Sequence, residues 1–194
     1  MLRFICKPGD AICEIGVFQG AFAQFLYSLM PRALVLIDPF EGIVSSGNED
    51  GNCVVHADLN KVYDELAKKC APLKNIQLRR GYSQDVLPQY PDSVFDVMYI
   101  DGNHSYEGVK SDLEFAIRKV RPGGFICFHD YMMNHTKTVH TYDFGVKQAV
   151  DEFCAKYGLE IWAFGLDGCV SGAIQKPYSE PTPSSSSDSS SSSH

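Results

Sequence analysis

The sequence predicts an α/β fold: a mostly parallel, seven-stranded sheet with helices on both faces and an antiparallel C-terminal hairpin. Three observations predict it. Five short, mostly apolar runs, "AICEI", "ALVLI", "NIQLRR", "VFDVMYI" and "GGFICFH", alternate with the helix-length segments "AFAQFLYSLM", "DLNKVYDELAKKC" and "YEGVKSDLEFAIRKV". Parallel strands need long crossovers, usually helical, and strands covered on both faces are apolar nearly throughout. Two last runs, "EIWAF" and "CVSGAI", flank the turn sequence "GLDG" closely enough to pair antiparallel.

Each element carries its own signal. "AICEI" runs through Glu14 into a turn bracketed by Gly16 and Gly20, and the first helical segment follows. "ALVLI" stops at Asp38, and "VFDVMYI" stops at Asp101, with His104 three residues on. The helix from Tyr106 to Val120 is the plainest: Tyr106, Val109, Leu113, Ala116, Ile117 and Val120 fall on one side, with Lys110, Glu114 and Arg118 away from it. Ser105 is a natural N-cap, and Pro122-Gly123-Gly124 ends the segment. The fifth run closes on His129-Asp130, and a further helix is expected from Phe144 to Tyr157. Residues 1–176 therefore form one domain. The tail from Pro177 to His194, a serine tract with three prolines, lacks the apolar content that would repay ordering and is expected to be disordered.

Composition narrows the function. The 194 residues, 44% hydrophobic, suffice for a single core. A net charge of -7 and a pI near 5.3 argue against a nucleic-acid partner, which needs a basic stripe. The start, "MLRFICKPGDAICEIG", is interrupted too early for a signal peptide, and no apolar run is long enough to span a bilayer. Seven cysteines without regular spacing, among them Cys6, Cys13, Cys127 and Cys169 in apolar runs, suit buried thiols in a reducing compartment, the cytoplasm.

Open sheets of this kind bind ligands beyond the carboxyl ends of their strands. The residues there are chemical: Glu14, Gly16 and Gly20 after the first run, Asp38 after the second, Asp101 and His104 after the fourth, and His129-Asp130 after the fifth. A carboxylate at the position of Asp38 can hold two ribose hydroxyls. The glycines are spaced GxxxG, not the GxGxxG of nicotinamide-binding dehydrogenases. Taken singly, the glycines also suit an ordinary tight turn, and Asp38 could cap the turn before Pro39.

Together, "CEIGVFQGAFA", "LIDPFEG", "GYSQDVLPQ", "YIDGNHSYEGVKSDLE" and "RPGGFICFHDY" resemble the successive motifs of Rossmann-like class I S-adenosylmethionine-dependent methyltransferases, over about Ala11 to Ile174. Within that superfamily the chain is most similar to small-molecule O-methyltransferases that include macrolide-sugar and cephalosporin-pathway enzymes, and "GYSQDVLPQ" also resembles its counterpart in catechol O-methyltransferase. The resemblance implies S-adenosyl-L-methionine as cofactor and a small-molecule hydroxyl as acceptor. By the same resemblance, Glu14, Gly16 and Gly20 form the cofactor loop, Asp38 binds the ribose, Ser83 and Gln84 lie beside the adenine, and Asp101 faces the cofactor.

Metal-dependent members hold a divalent ion between a carboxylate at the position of Asp101 and an acidic or amide pair ending the next strand, here His129-Asp130. Asp101, His129 and Asp130 are the expected ligands. The chain departs from the pattern at His129, since an imidazole suits Mn²⁺, Fe²⁺ or Zn²⁺ better than Mg²⁺. His104 is the expected general base beside Asp101. The alternatives are a structural Asp101, a His129 that packs beside the sheet and a His104 bonded to its own loop. Asp112 is read as solvated or tethering a loop, and His56, His135 and His140 as loop histidines.

Two long loops, Gly42 to Asp58 and Tyr131 to Phe144, are expected lids over the strand ends. Helices that often precede the first strand in relatives and cover the substrate are not expected from this sequence. An open site, a homo-oligomer that completes it, and a fragment of a longer chain all stay open, as does a non-catalytic or partner-dependent cofactor-binding module.

Overall fold

The computed structural model describes residues 1–46, 55–132, 145–166 and 170–178. A short helix α1 (Leu2–Ile5) precedes β1 (Ala11–Ile15), α2 (Ala21–Ser28) and β2 (Ala33–Asp38). A hairpin of β3 (Ile43–Ser46) and β4 (Val55–Asp58) leads into α3 (Leu59–Cys70), β5 (Ile76–Arg80) and α4 (Ser83–Val86). Then come β6 (Phe95–Ile100), α5 (Tyr106–Lys119), β7 (Val120–Phe128), α6 (Val146–Tyr157), β8 (Ile161–Gly165) and β9 (Ser171–Gln175).

The main sheet has seven strands in the order β5-β2-β1-β6-β7-β9-β8. Its first five strands are parallel, β9 runs antiparallel to β7, and β8 closes the edge antiparallel to β9. The expected sheet and terminal hairpin are both present. The order reverses at β1, with β2 on one side and β6 on the other, which is where an open sheet of this type leaves a crevice. Among the described residues no helix is long and apolar enough to cross a membrane.

Strands β1 and β6 are buried along their whole length, which explains their near-continuous apolar sequences. Two apolar layers cover the sheet. One packs Val109, Leu113 and Ala116 of α5 with Ala149 and Val150 of α6. The other packs Leu26 of α2, Leu66 of α3 and Ile5 of α1 against the opposite face. Cys6, Cys13 and Cys127 are buried free thiols, while Cys169 lies outside the described residues.

Caps set the helix boundaries. The Ser105 hydroxyl accepts the Gly108 amide at 3.2 Å, as the sequence predicts for α5, and the Asp58 carboxylate accepts the Asn60 amide at 3.1 Å to start α3. Helix α5 ends at Lys119, and Pro122-Gly123-Gly124 lies within β7 rather than in a separate turn.

The stretch from Gly42 to Asp58, expected to be one long loop, contains the β3–β4 hairpin, with residues 47–54 outside the described part. Of the second expected lid, Tyr131 and Met132 are described. Tyr131 is buried against Phe128 and Phe164 and donates its hydroxyl to Asp151 at 2.7 Å, so it is a core residue. Residues 133–144, including His135 and His140, and the tail from 179 lie outside the described residues, and nothing is described of the His56 side chain.

Candidate active site

Strand register assembles the site. Ile15 of β1 is level with Ile37 of β2 and Ile100 of β6, and Ile100 is level with Phe128 of β7. The next residues, Gly16, Asp38, Asp101 and His129, therefore emerge side by side at the carboxyl edge. The ladder runs on past the strand ends: the Gly16 amide donates to Ile37, the Asp101 amide to Ile15 and the His129 amide to Ile100, at 2.9, 2.8 and 3.1 Å.

Beside this edge lies a cleft of about 650 Å³, within the range of small-ligand sites. Gly16, Asp38, Ser83, Gln84, Asp101 and His104 all line it. Glu14 and Gly20 do not, and each acts from behind. Gly20, at φ 77°, is the N-cap of α2, and a Cβ there would lie 2.7 Å from Leu66 Cδ2. Glu14 is buried within β1, and its Oε2 has no hydrogen-bond partner among the described residues. Burial, reinforced by the charges of Asp101 and Asp38, pushes the Glu14 carboxyl up to about 9, so it is a neutral acid at physiological pH.

Asp38 organises the neighbouring turns. Its Oδ2 accepts the amides of Val17 and Phe18 at 2.9 and 3.0 Å, and its Oδ1 accepts that of Phe40 at 2.7 Å. Phe18 and Phe40 both have positive φ, 49° and 48°, an unfavourable geometry for an aromatic residue that these bonds help to hold. An ionised carboxylate offers about four lone-pair sites, so roughly one remains on Oδ1.

Asp101, His104, His129 and Asp130 meet in one cluster. His104 Nε2 is 3.1 Å from Asp101 Oδ1 and 3.3 Å from Asp130 Oδ2. His129 Nδ1 is 3.4 Å from Asp101 Oδ1 and 3.1 Å from Asp130 Oδ1. Successive residues of an extended strand point to opposite faces, yet His129 and Asp130 serve the same cluster. The left-handed turn at Asp130, φ 57°, accounts for this by breaking the alternation. Hydrogen bonding of the His129 ring to the Asp101 and Asp130 carboxylates raises His129 to about 10, against the opposing effect of burial. Burial raises the Asp101 carboxyl, but hydrogen bonds and charge from His104 and His129 outweigh it and hold the group below its usual value.

This donor set suits a divalent ion. Ligand atoms of Asp101, His104 and Asp130 lie within 4.8 Å of one another, so among the described residues the metal-capable group includes His104 rather than the expected His129. His104 is thus brought to the expected ligands as well as to the expected base position.

Asp112 is the residue that sequence reasoning placed least well. It is buried in α5, lines the cleft and accepts a short hydrogen bond from the Ser83 hydroxyl. It is not solvated, and it does tether α4. The signal was available, because Asp112 sits three residues after Val109 and four before Ala116, within the buried stripe.

The methyltransferase-domain model Methyltransf_24 matches residues 13–131. Among curated proteins, a tetracenomycin rhamnosyl 4'-O-methyltransferase from Streptomyces olivaceus is 25% identical over 83% of this chain and 64% of its own length. A demethyldecarbamoylnovobiocin O-methyltransferase from Streptomyces niveus is 26% identical over the same shares. The chain therefore spans less than two thirds of the length of these relatives. Among solved structures, the O-methyltransferase NovP superposes with a TM-score of 0.63 at 24% identity, over 88% of this chain and 73% of that one. A Bacillus cereus O-methyltransferase in complex with SAH gives 0.58 at 16% identity, over 86% and 74%. At these identities the superpositions establish the fold.

Proposed function

The chain belongs to the Methyltransf_24 family of methyltransferase domains, and from that premise we propose that this S-adenosylmethionine-dependent enzyme methylates a hydroxyl of a small molecule. The observation that carries the proposal is the cluster of Asp101, His104, His129 and Asp130, of which Asp101 and His104 line the cleft. The relatives' names support oxygen as the acceptor atom, and one of them names a sugar hydroxyl.

When bound, S-adenosylmethionine supplies the sulfonium methyl group. The cleft volume and the polar side chains of Asp38, Ser83, Gln84 and Asp101 along it fit a ligand of this size and polarity. Asp38 offers its remaining Oδ1 position to a ribose hydroxyl while holding the turns at Val17, Phe18 and Phe40. Ser83 and Gln84, which line the cleft, would border the nucleobase, and Asp101 would face the sulfonium. With the loops preset, geometry does most of the work, since alignment of two reactants is worth on the order of 7 to 11 kcal/mol.

His104 receives the acceptor's proton as the O–CH₃ bond forms and the S–CH₃ bond breaks. Asp101 Oδ1 and Asp130 Oδ2, 3.1 and 3.3 Å from Nε2, would stabilise the imidazolium that forms. Asp101, His129 and Asp130 would hold a divalent ion whose Lewis acidity lowers the acceptor's pKa. An imidazole in the set favours Mn²⁺, Fe²⁺ or Zn²⁺ over Mg²⁺.

The test is transfer of an isotopically labelled methyl group to a panel of sugar and phenol hydroxyls, with mass spectrometry locating the label. The expected label sits on oxygen and is lost in Asp130→Ala while S-adenosylhomocysteine still binds. Label on nitrogen or carbon, or full activity of Asp130→Ala, would overturn the assignment.

A further inference from the structure

We propose that Asp112 is the residue that selects the nucleobase, its Oδ2 accepting a hydrogen bond from the exocyclic 6-amino group of adenine. The proposal rests on the cofactor-binding role of the cleft, and it adds a specificity residue that the methyl-transfer mechanism does not use.

The geometry is specific. Asp112 is 4% exposed, yet it lines the cleft together with Ser83 and Gln84. Its Oδ1 is engaged by the Ser83 hydroxyl, and Oδ2 has no hydrogen-bond partner among the described residues. Gly102 forms a shelf beneath that oxygen: a Cβ on Gly102 would lie 3.9 Å from Asp112 Oδ2 and 3.3 Å from Ile15 Cγ2. The apolar side chains of Ile15 and Ile37 line the same cleft. An apolar surface for a ring face, with an acceptor along its edge, is the arrangement that reads a planar heterocycle bearing an amino group.

The chemistry points the same way. An ionised carboxylate only accepts, so it pairs with an amino group and leaves a 6-oxo group facing a second acceptor. A buried carboxylate with a single hydrogen bond is incompletely compensated for lost hydration. Burial outweighs the Ser83 bond and raises the Asp112 carboxyl to about 6, and a further donor from a ligand would offset part of that cost.

The experiment is calorimetric titration of the full chain with S-adenosylhomocysteine and with S-inosylhomocysteine, which replaces the 6-amino group by a 6-oxo group. The wild type is expected to prefer the adenosyl compound by at least about tenfold. Asp112→Asn, whose amide can donate to the oxo group, should compress or reverse that preference. Ser83→Ala, which removes the tether and a cleft-lining hydroxyl but not the Asp112 carboxylate, should weaken both ligands alike. Equal binding of the two compounds by the wild type would overturn the proposal whether or not the variants fold. So would an Asp112→Asn chain that melts like the wild type and weakens both ligands equally. If neither compound binds the wild type, the cofactor reading of the cleft fails and this assignment fails with it.

Discussion

Gly16 packs so closely under Asp101 that a Cβ at Gly16 would lie 2.0 Å from the Asp101 carbonyl oxygen. The loop expected to meet the cofactor and the loop that carries Asp101 and His104 are thus built against each other. Gly16 also has φ 86°, which penalises any side chain by about 1–2 kcal/mol even without the contact.

Gly16→Ala should therefore cost more than a backbone penalty, because the Asp101 loop has to move. The expected outcome is a loss of at least about 2 kcal/mol in chemical denaturation, together with weakened S-adenosylhomocysteine binding. A variant with wild-type stability and affinity would show that the contact is unimportant.

Glu14 predicts a pH dependence. Its folded value, about 9, lies above that of an ordinary glutamate, so the folded chain keeps a proton that the unfolded chain releases. The contribution of this group to stability is complete below the unfolded value near 4.5 and is lost as pH rises toward 9. Glu14→Gln removes the titration, so its melting temperature should improve relative to wild type between pH 5 and pH 8. A difference independent of pH would mean that Glu14 is ionised in the fold.

His129 predicts metal preference. In calorimetric titrations the wild type should bind Mn²⁺ more tightly than Mg²⁺, and His129→Asp should narrow that gap by replacing the imidazole with a hard oxygen ligand. An unchanged ratio would remove His129 from the ligand set.

His104→Ala should lower the turnover number by about 10² to 10⁴ fold with little change in cofactor affinity. Near-normal turnover would return His104 to a structural role, as a partner of Asp101 and Asp130.

The parallel strands were legible because burial on both faces makes them apolar runs, and α5 because its stripe and its Ser105 cap agree. The β3–β4 hairpin was not, since each strand has four residues and the segment between them is rich in Gly and Asn. Helix α4, also four residues long, is too short for a periodic signal. Asp101 and His104 were visible as neighbours on one loop. Their meeting with His129 and Asp130 depends on the β6–β7 register and on the left-handed turn at Asp130, neither of which a single sequence prints. Asp38 stood out as a strand-end carboxylate, but not its grip on three backbone amides.

That grip makes Asp38 the place for the most direct test, calorimetric titration of S-adenosylhomocysteine into the wild type and Asp38→Ala, with NAD as control. The wild type is expected to show saturable one-to-one binding and no heat from NAD, and the variant an affinity weaker by about 1.5–3 kcal/mol, the scale of a lost charged hydrogen bond. Because the carboxylate also holds Val17, Phe18 and Phe40, the variant should melt at a lower temperature as well. No binding of S-adenosylhomocysteine by the wild type, or equal binding of NAD, would contradict the central claim.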